Sequence, residues 1–309
     1  MTCGGDMHNI ITTEQMRAAT RADPKFTSFV ELKLMKEINM RINGKFFLIT
    51  YTHDHNREED FIDFILDNME FYSLTNSERK KMKCSRERLR KAYRRFVKYS
   101  TTGEFGEMIL FFILELFENA IQVINKMALK TTGKKHYNGA DCVHFGVKDN
   151  LRILFMGESK TTESTFNSAL SSSLESITLF YEEKKDKFEV DLISGNISED
   201  IPLEIQNMIK DYIDPLKPDK TDCCQINAVF LGFEESFLRD LEKSYAGDEL
   251  LRKVTEKYNE KIAGYIKTIE SKVKNCDISD QRFFFFLLPF KDLDKARKKF
   301  TEELKIVQE

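Results

Sequence analysis

Two periodicities of apolar residues alternate along this chain, and their order predicts an α/β protein. Residues 26–52 carry short apolar runs broken by polar ones, and the segment Lys45-Phe-Phe-Leu-Ile-Thr-Tyr51 follows Asn43-Gly44, a dipeptide suited to a hairpin turn before a strand. Helical spacing takes over across residues 58–71, at Phe61, Ile62, Ile65 and Met69. It continues across 77–98, where Ser77 is placed to cap a helix and Met82, Leu89, Tyr93, Phe96 and Val97 form a narrow apolar stripe. Gly103-Glu-Phe-Gly-Glu107 then opens a helix predicted to run to about Lys126. Its residues 108–117 are apolar all round apart from Glu115, the pattern of a buried helix.

Beyond a loop marked by Gly133 and Gly139, Ala140-Asp-Cys-Val-His-Phe145 reads as a short strand. Asp149-Asn150 is a turn signal, and Leu151-Arg-Ile-Leu-Phe-Met156 is a second strand running into Gly157-Glu-Ser-Lys160. Thr162 or Ser164 is placed to cap the next helix, with Phe166, Leu170, Leu174, Ile177, Leu179 and Phe180 on its apolar face. Residues 226–231 form a further buried strand. A charged helix over 234–274, broken near 246–248, follows, then a strand at 282–288 and a helix at 293–304. The pattern divides the chain into an N-terminal β/α region with a basic helix (1–99), a core of helix, strand, strand, helix and strand (100–235), and a helical extension with one strand (236–309). The fold class is α/β (α+β), a mixed sheet flanked by helices.

Composition narrows the possible functions. The formal charge of −3 excludes a polycation, so a nucleic-acid surface has to be a local patch. One such patch exists: between Glu78 and Lys98 there are eleven Lys or Arg against two Glu. Arg86, Arg90 and Arg94 are its candidate phosphate contacts, with Lys130 further on. The same helix could equally be a solvated face balanced by Glu58-Glu-Asp60, or dock an acidic partner. The 26 Phe and absent Trp point to core filling rather than base stacking. Six cysteines lack any C-x-x-C pair, which argues against a zinc site or a disulfide framework. Residues 1–10 show no basic and apolar leader, and the apolar runs at 108–117 and 283–290 are too short to span a bilayer. A cytoplasmic protein with reduced thiols is expected.

The middle of the chain carries the chemistry. Asp141 lies on one strand, Glu158 at the end of the next, and Lys160 two residues on, so that Glu158 and Lys160 share a face if the strand persists. Phosphodiester hydrolysis needs such a set. A divalent cation with hard oxygen ligands neutralises the phosphate and activates water, and a lysine meets the growing negative charge. Glu104 or Glu107, on the preceding helix, could complete the shell. Glu-x-Lys alone is common by chance; the ordered set on two consecutive strands is more specific, and its bland alternative is a solvated strand end. His144 falls on the face opposite Asp141 and reads as a packed or solvated histidine rather than a ligand. Thr161 and Thr162 could hold a phosphate or cap a helix.

Four segments together resemble the HamA family, the nuclease subunit of the bacterial Hachiman antiphage-defence system. They are Gly106-Glu-Met-Ile-Leu-Phe-Phe-Ile-Leu-Glu115, Gly139-Ala-Asp-Cys-Val-His144, Gly157-Glu-Ser-Lys160 and Phe166-Asn-Ser-Ala-Leu-Ser-Ser-Ser-Leu-Glu-Ser-Ile177. The resemblance implies a restriction-endonuclease-like core of the PD-(D/E)xK type and Mg²⁺ or Mn²⁺ as cofactor. It also implies DNA as substrate and a HamB helicase as partner, with no membrane. Asp141, Glu158 and Lys160 take the catalytic positions, joined by Glu107 as the helix glutamate with Glu104 its substitute, and Asp141, Glu158 and Glu107 the metal; the chain has Gly139-Ala-Asp141 where the wider superfamily often has Pro-Asp. A non-catalytic nucleic-acid-binding or regulatory subunit is the alternative. A purely structural subunit docking through 234–274 has no positive support in the residues.

Overall fold

The computed structural model describes residues 11–53, 55–99, 103–129, 139–161, 165–214, 216 and 222–306. In chain order the strands are β1 (Val30–Asn39), β2 (Ile42–Ile49), β3 (Ile121–Gln122), β4 (Cys142–Lys148), β5 (Leu151–Lys160), β6 (Cys223–Glu234) and β7 (Phe283–Phe290). They form one sheet in the order β1-β2-β7-β6-β5-β4-β3. β2, β7, β6 and β5 run parallel, and antiparallel hairpin partners β1 and β4 lie at either side of them. The fold class is the α/β arrangement expected from the sequence. Segments 1–99, 100–235 and 236–309 all contribute strands to it.

The helices are α1 (Thr13–Ala19), α2 (Glu58–Asp67), α3 (Met69–Ser73), α4 (Asn76–Lys81), α5 (Ser85–Tyr99), α6 (Glu104–Phe117), α7 (Lys126–Leu129), α8 (Phe166–Glu182), α9 (Lys185–Asn196), α10 (Leu203–Ile213), α11 (Ser236–Ser244), α12 (Gly247–Lys274) and α13 (Leu293–Ile306). One face of the sheet packs Phe155, Ile226, Phe230 and Phe286 against α6, with α2, α3, α5 and α13 around it. The opposite face packs Val229, Leu231, Phe285 and Leu287 against α8 and α12, and Leu154, Met156, Val143 and Phe145 against α9 and α10. Because α6 buries every residue from Met108 to Glu115, it serves as the core of its layer.

Several boundaries differ from expectation, each for a local physical reason. The first hairpin turns at Met40-Arg41, because the Asn39 Oδ1 accepts from the backbone N–H groups of Arg41 and Ile42 at 2.9 and 3.1 Å; Asn43-Gly44 lies inside β2. The basic stretch 77–98 is two helices, and the cap of the first is Thr75, in a reciprocal box with Glu78, rather than Ser77. α6 stops at Phe117, well short of Lys126. There Asn119 adopts a φ of 51° and the Lys45 ammonium, reaching from β2, binds the Phe117 carbonyl at 3.0 Å and the Glu118 carboxylate at 2.6 Å. α8 is capped by Thr165; Thr162 and Ser164 fall outside the described residues. Leu179 on α8 is exposed rather than apolar core, and α1, α9 and α10 have no counterpart in the sequence reading. The break in 234–274 falls where expected, between α11 and α12.

The hairpin joining β4 to β5 is tight. Asp149 and Asn150 both have positive φ, 50° and 65°, as a two-residue type I′ turn requires. At its far end Gly157 faces Cys142, where a Cβ would lie 2.2 Å from the Cys142 sulfur and 3.0 Å from Leu110. Gly157→Ala is therefore expected to lower stability by about 1–3 kcal/mol in thermal or urea denaturation, the usual cost of overpacking. Adding Cys142→Ala should recover part of the loss; a Gly157→Ala chain as stable as wild type would mean that the strands part here at no cost.

Candidate active site at the carboxyl edge of the sheet

β5 ends at the sheet edge where β2, β6 and β7 also end and where β4 begins. Its strand conformation persists through Lys160, so Glu158 and Lys160 lie on one face, that of Leu154 and Met156. That face carries them toward α8. The Lys160 Nζ stands 2.8 Å from Glu158 Oε1 and donates to the Ser176 Oγ of α8 at 2.9 Å.

Asp141 precedes β4 by one residue, and its N–H donates to the Gly157 carbonyl at 2.8 Å, extending the hairpin register to set it beside Glu158. Its Oδ2 accepts from the Ser159 backbone N–H at 2.8 Å and from the Ser159 hydroxyl at 3.2 Å. A buried ion pair braces the residue before it. Lys126 of α7 lies 2.7 Å from the Glu189 Oε1 of α9, and its ammonium also binds the Ala140 carbonyl. Burial and the neighbouring Asp141 charge push the Glu158 carboxyl up to about 7, against the opposing pull of Lys160.

The sequence-predicted residues do not all meet. Asp141, Glu158 and Lys160 come together. Glu107 stands on the α6 face, its Oε2 accepting from the Tyr72 hydroxyl of α3 at 2.5 Å, and Glu104 is buried in the same first turn. Among the described residues no three His, Cys, Asp or Glu side chains close on a point where a metal would sit. Two carboxylates, one with its pKa raised by burial and by the charge of the other, nevertheless form a donor set that a hard divalent cation fits. Mg²⁺ commonly takes one or two protein carboxylates and fills its shell with waters and substrate oxygens. Asp141 and Glu158 could hold such an ion; Glu107 is not assembled with them.

His144 packs on the opposite face, wholly buried, with its ring 5.8 Å from that of Phe111; burial pushes its pKa down to about 3, so it is a neutral core residue as expected. Thr161 turns inward, 1% exposed and wedged between Gly106 and Gly232, which rules out the phosphate contact considered for it. Lys130 lies outside the described residues. On α5, Arg86, Arg90 and Arg94 are exposed at i, i+4 and i+8, on one helix face. Arg88, Lys91 and Arg95 instead turn inward to Glu70 and Glu78 and hold α5 to its neighbours. Ser159, Ser176, Tyr72, Lys126 and Glu189 escaped the sequence reading.

Glu158 gives a pH-dependent signature. The folded chain releases this proton only near pH 7, whereas an unfolded chain does so near 4.5. Between those values the folded state binds more protons, so stability falls as pH rises through the window, by at most about 3 kcal/mol from this group. Glu58, Glu115 and Glu118 are shifted upward by burial too, so the diagnostic quantity is the difference from Glu158→Gln. In a divalent-free buffer the variant's urea midpoint should decline less than wild type from pH 5 to pH 7.5; parallel declines would contradict the assignment.

Among the described residues no helix is long and apolar enough to cross a membrane. No curated protein matches the chain. The sequence model of one family, HamA, matches residues 24–304. The match takes in every strand of the sheet and the cluster of Asp141, Glu158 and Lys160, and the chain belongs to the HamA family, with a role in antiphage defence.

Proposed function

We propose that this chain is the metal-dependent DNA nuclease of a Hachiman-type defence complex, hydrolysing phosphodiester bonds under the control of a HamB-like helicase. The observation that carries the reading is the meeting of Asp141, Glu158 and Lys160 at one sheet edge, in the order and spacing of a PD-(D/E)xK site. A Mg²⁺ or Mn²⁺ ion held by Asp141 and Glu158 would supply positive charge to the phosphate and a more acidic water.

The remaining work falls to the chain's own groups. Ser159 fixes the Asp141 carboxylate through its backbone N–H and its hydroxyl, which leaves Oδ1 free of that clamp. Lys126 and Glu189 fix the peptide before it. The Lys160 ammonium, on the same face as Glu158, meets the negative charge that grows on the phosphate in the transition state, where a preorganised donor is worth most. The exposed arginines of α5 offer sequence-independent contacts to the phosphate backbone. Restraint by a partner follows from the family, since an unrestrained nuclease would damage its host.

A second reading, a nucleic-acid-binding subunit without catalysis, draws on one observation: only two carboxylates converge among the described residues, and one of them is paired with the lysine. Cleavage of plasmid and linear DNA with Mg²⁺ or Mn²⁺, with and without a helicase partner, separates the two. The nuclease reading expects metal-dependent cutting that Glu158→Ala/Lys160→Ala lowers by on the order of 10³-fold or more, with the melting temperature retained. DNA binding without cutting, or cutting that survives the double substitution, would favour the second.

A further inference from the structure

We propose that Ser176 of α8 is a positioning residue for Lys160, the anchor that keeps the ammonium aimed when the Glu158 carboxylate is engaged by a cation. This rests on the nuclease reading of the same site.

Hydroxyls along α8 usually turn back on their own helix. Ser171 donates to the Asn167 carbonyl, Ser173 to that of Leu170 and Thr178 to that of Leu174. Ser171 also accepts from the Lys272 ammonium on the exposed side of the helix, whereas Ser176 meets a lysine of the sheet beneath. The Ser176 oxygen accepts from Lys160 Nζ at 2.9 Å, beside the Glu158 carboxylate that holds the same ammonium at 2.8 Å. The helix carrying it is fixed over the strands one turn later, where the Tyr181 hydroxyl donates to Asn227 at 3.1 Å and accepts from Gln225 at 3.0 Å, both on β6. The height of Ser176 over β5 is therefore set by the fold.

An ammonium has three donors. In the structure one serves Glu158 at 2.8 Å and one serves Ser176, which leaves a third for a phosphate oxygen or a water. Once the Glu158 oxygens are shared with a divalent cation, their hold on Lys160 weakens. A lysine stem has four rotatable bonds and disperses readily among rotamers. The serine oxygen, neutral and tied to a rigid helix, then remains as a fixed acceptor. Its contribution is to orientation rather than to charge, so it should appear in the catalytic step and leave substrate binding alone.

The test uses the full chain, under the metal and partner conditions in which wild type cuts, with Ser176→Ala, Ser176→Thr, Lys160→Ala and the Ser176→Ala/Lys160→Ala pair. The expected result is an about tenfold lower kcat for Ser176→Ala, with KM within about twofold and the melting temperature held. Ser176→Thr, which keeps the hydroxyl, should restore most of the rate. In the Lys160→Ala background Ser176→Ala should cost nothing more, as for two residues acting as a unit. A wild-type kcat for Ser176→Ala overturns the inference, as does an equal loss in the Lys160→Ala background or a lower rate explained by a lower melting temperature. A wild-type chain that does not cut under any condition overturns the nuclease reading and, with it, this role.

Discussion

The register of the β4–β5 hairpin decides where the candidate catalytic groups stand. Its two-residue turn, with Asp149 and Asn150 both at positive φ, admits one pairing, Lys148 with Leu151 through Cys142 with Gly157. Continued by one residue, that pairing brings Asp141 beside Glu158, and the Asp141 N–H on the Gly157 carbonyl shows that it does continue. A slip of one residue would send Glu158 and Lys160 to the α6 face and bury charge in the largest core cluster. The same alternation that fills the core therefore fixes the chemistry at its rim.

Around this hairpin the fold holds charged groups firmly in place. Lys126 and Glu189 form a buried pair whose desolvation offsets much of its own attraction, so its value lies in geometry more than in stability. Glu115, inside the α6 layer, accepts the backbone N–H groups of Arg21 and Ala22 at 2.5 and 2.6 Å and ties the N-terminal segment to α6. Lys45 closes the end of α6 from β2. Each of these bonds joins elements far apart in sequence; the first braces the residue before Asp141, and the other two hold the C-terminal end of α6.

What the sequence made legible was local. Alternation and turn chemistry predicted β4, β5 and their hairpin, and strand geometry placed Glu158 with Lys160 and His144 on the other face. What it left hidden depends on distant partners. Apolar residues resume after Glu118-Asn119, at Ala120, Ile121, Val123 and Ile124, so the end of α6 could not be read without Lys45 and the backbone of Asn119. Glu107 has the right type and spacing for a ligand, and the Tyr72 hydroxyl of a separate helix that holds its Oε2 was invisible in the sequence. Asn43-Gly44 is a good turn dipeptide overridden by the Asn39 side chain. Ser176 looks like any helix serine until the strand beneath it is known.

On the proposed function, Asp141 and Glu158 would jointly hold a divalent cation beside Lys160. Anomalous diffraction from Mn²⁺-soaked crystals tests this without relying on activity. A single strong peak within ligand distance of both carboxylates, absent from Glu158→Gln crystals, is the predicted result. A peak at other residues, or none at saturating Mn²⁺ with both side chains ordered, would contradict it.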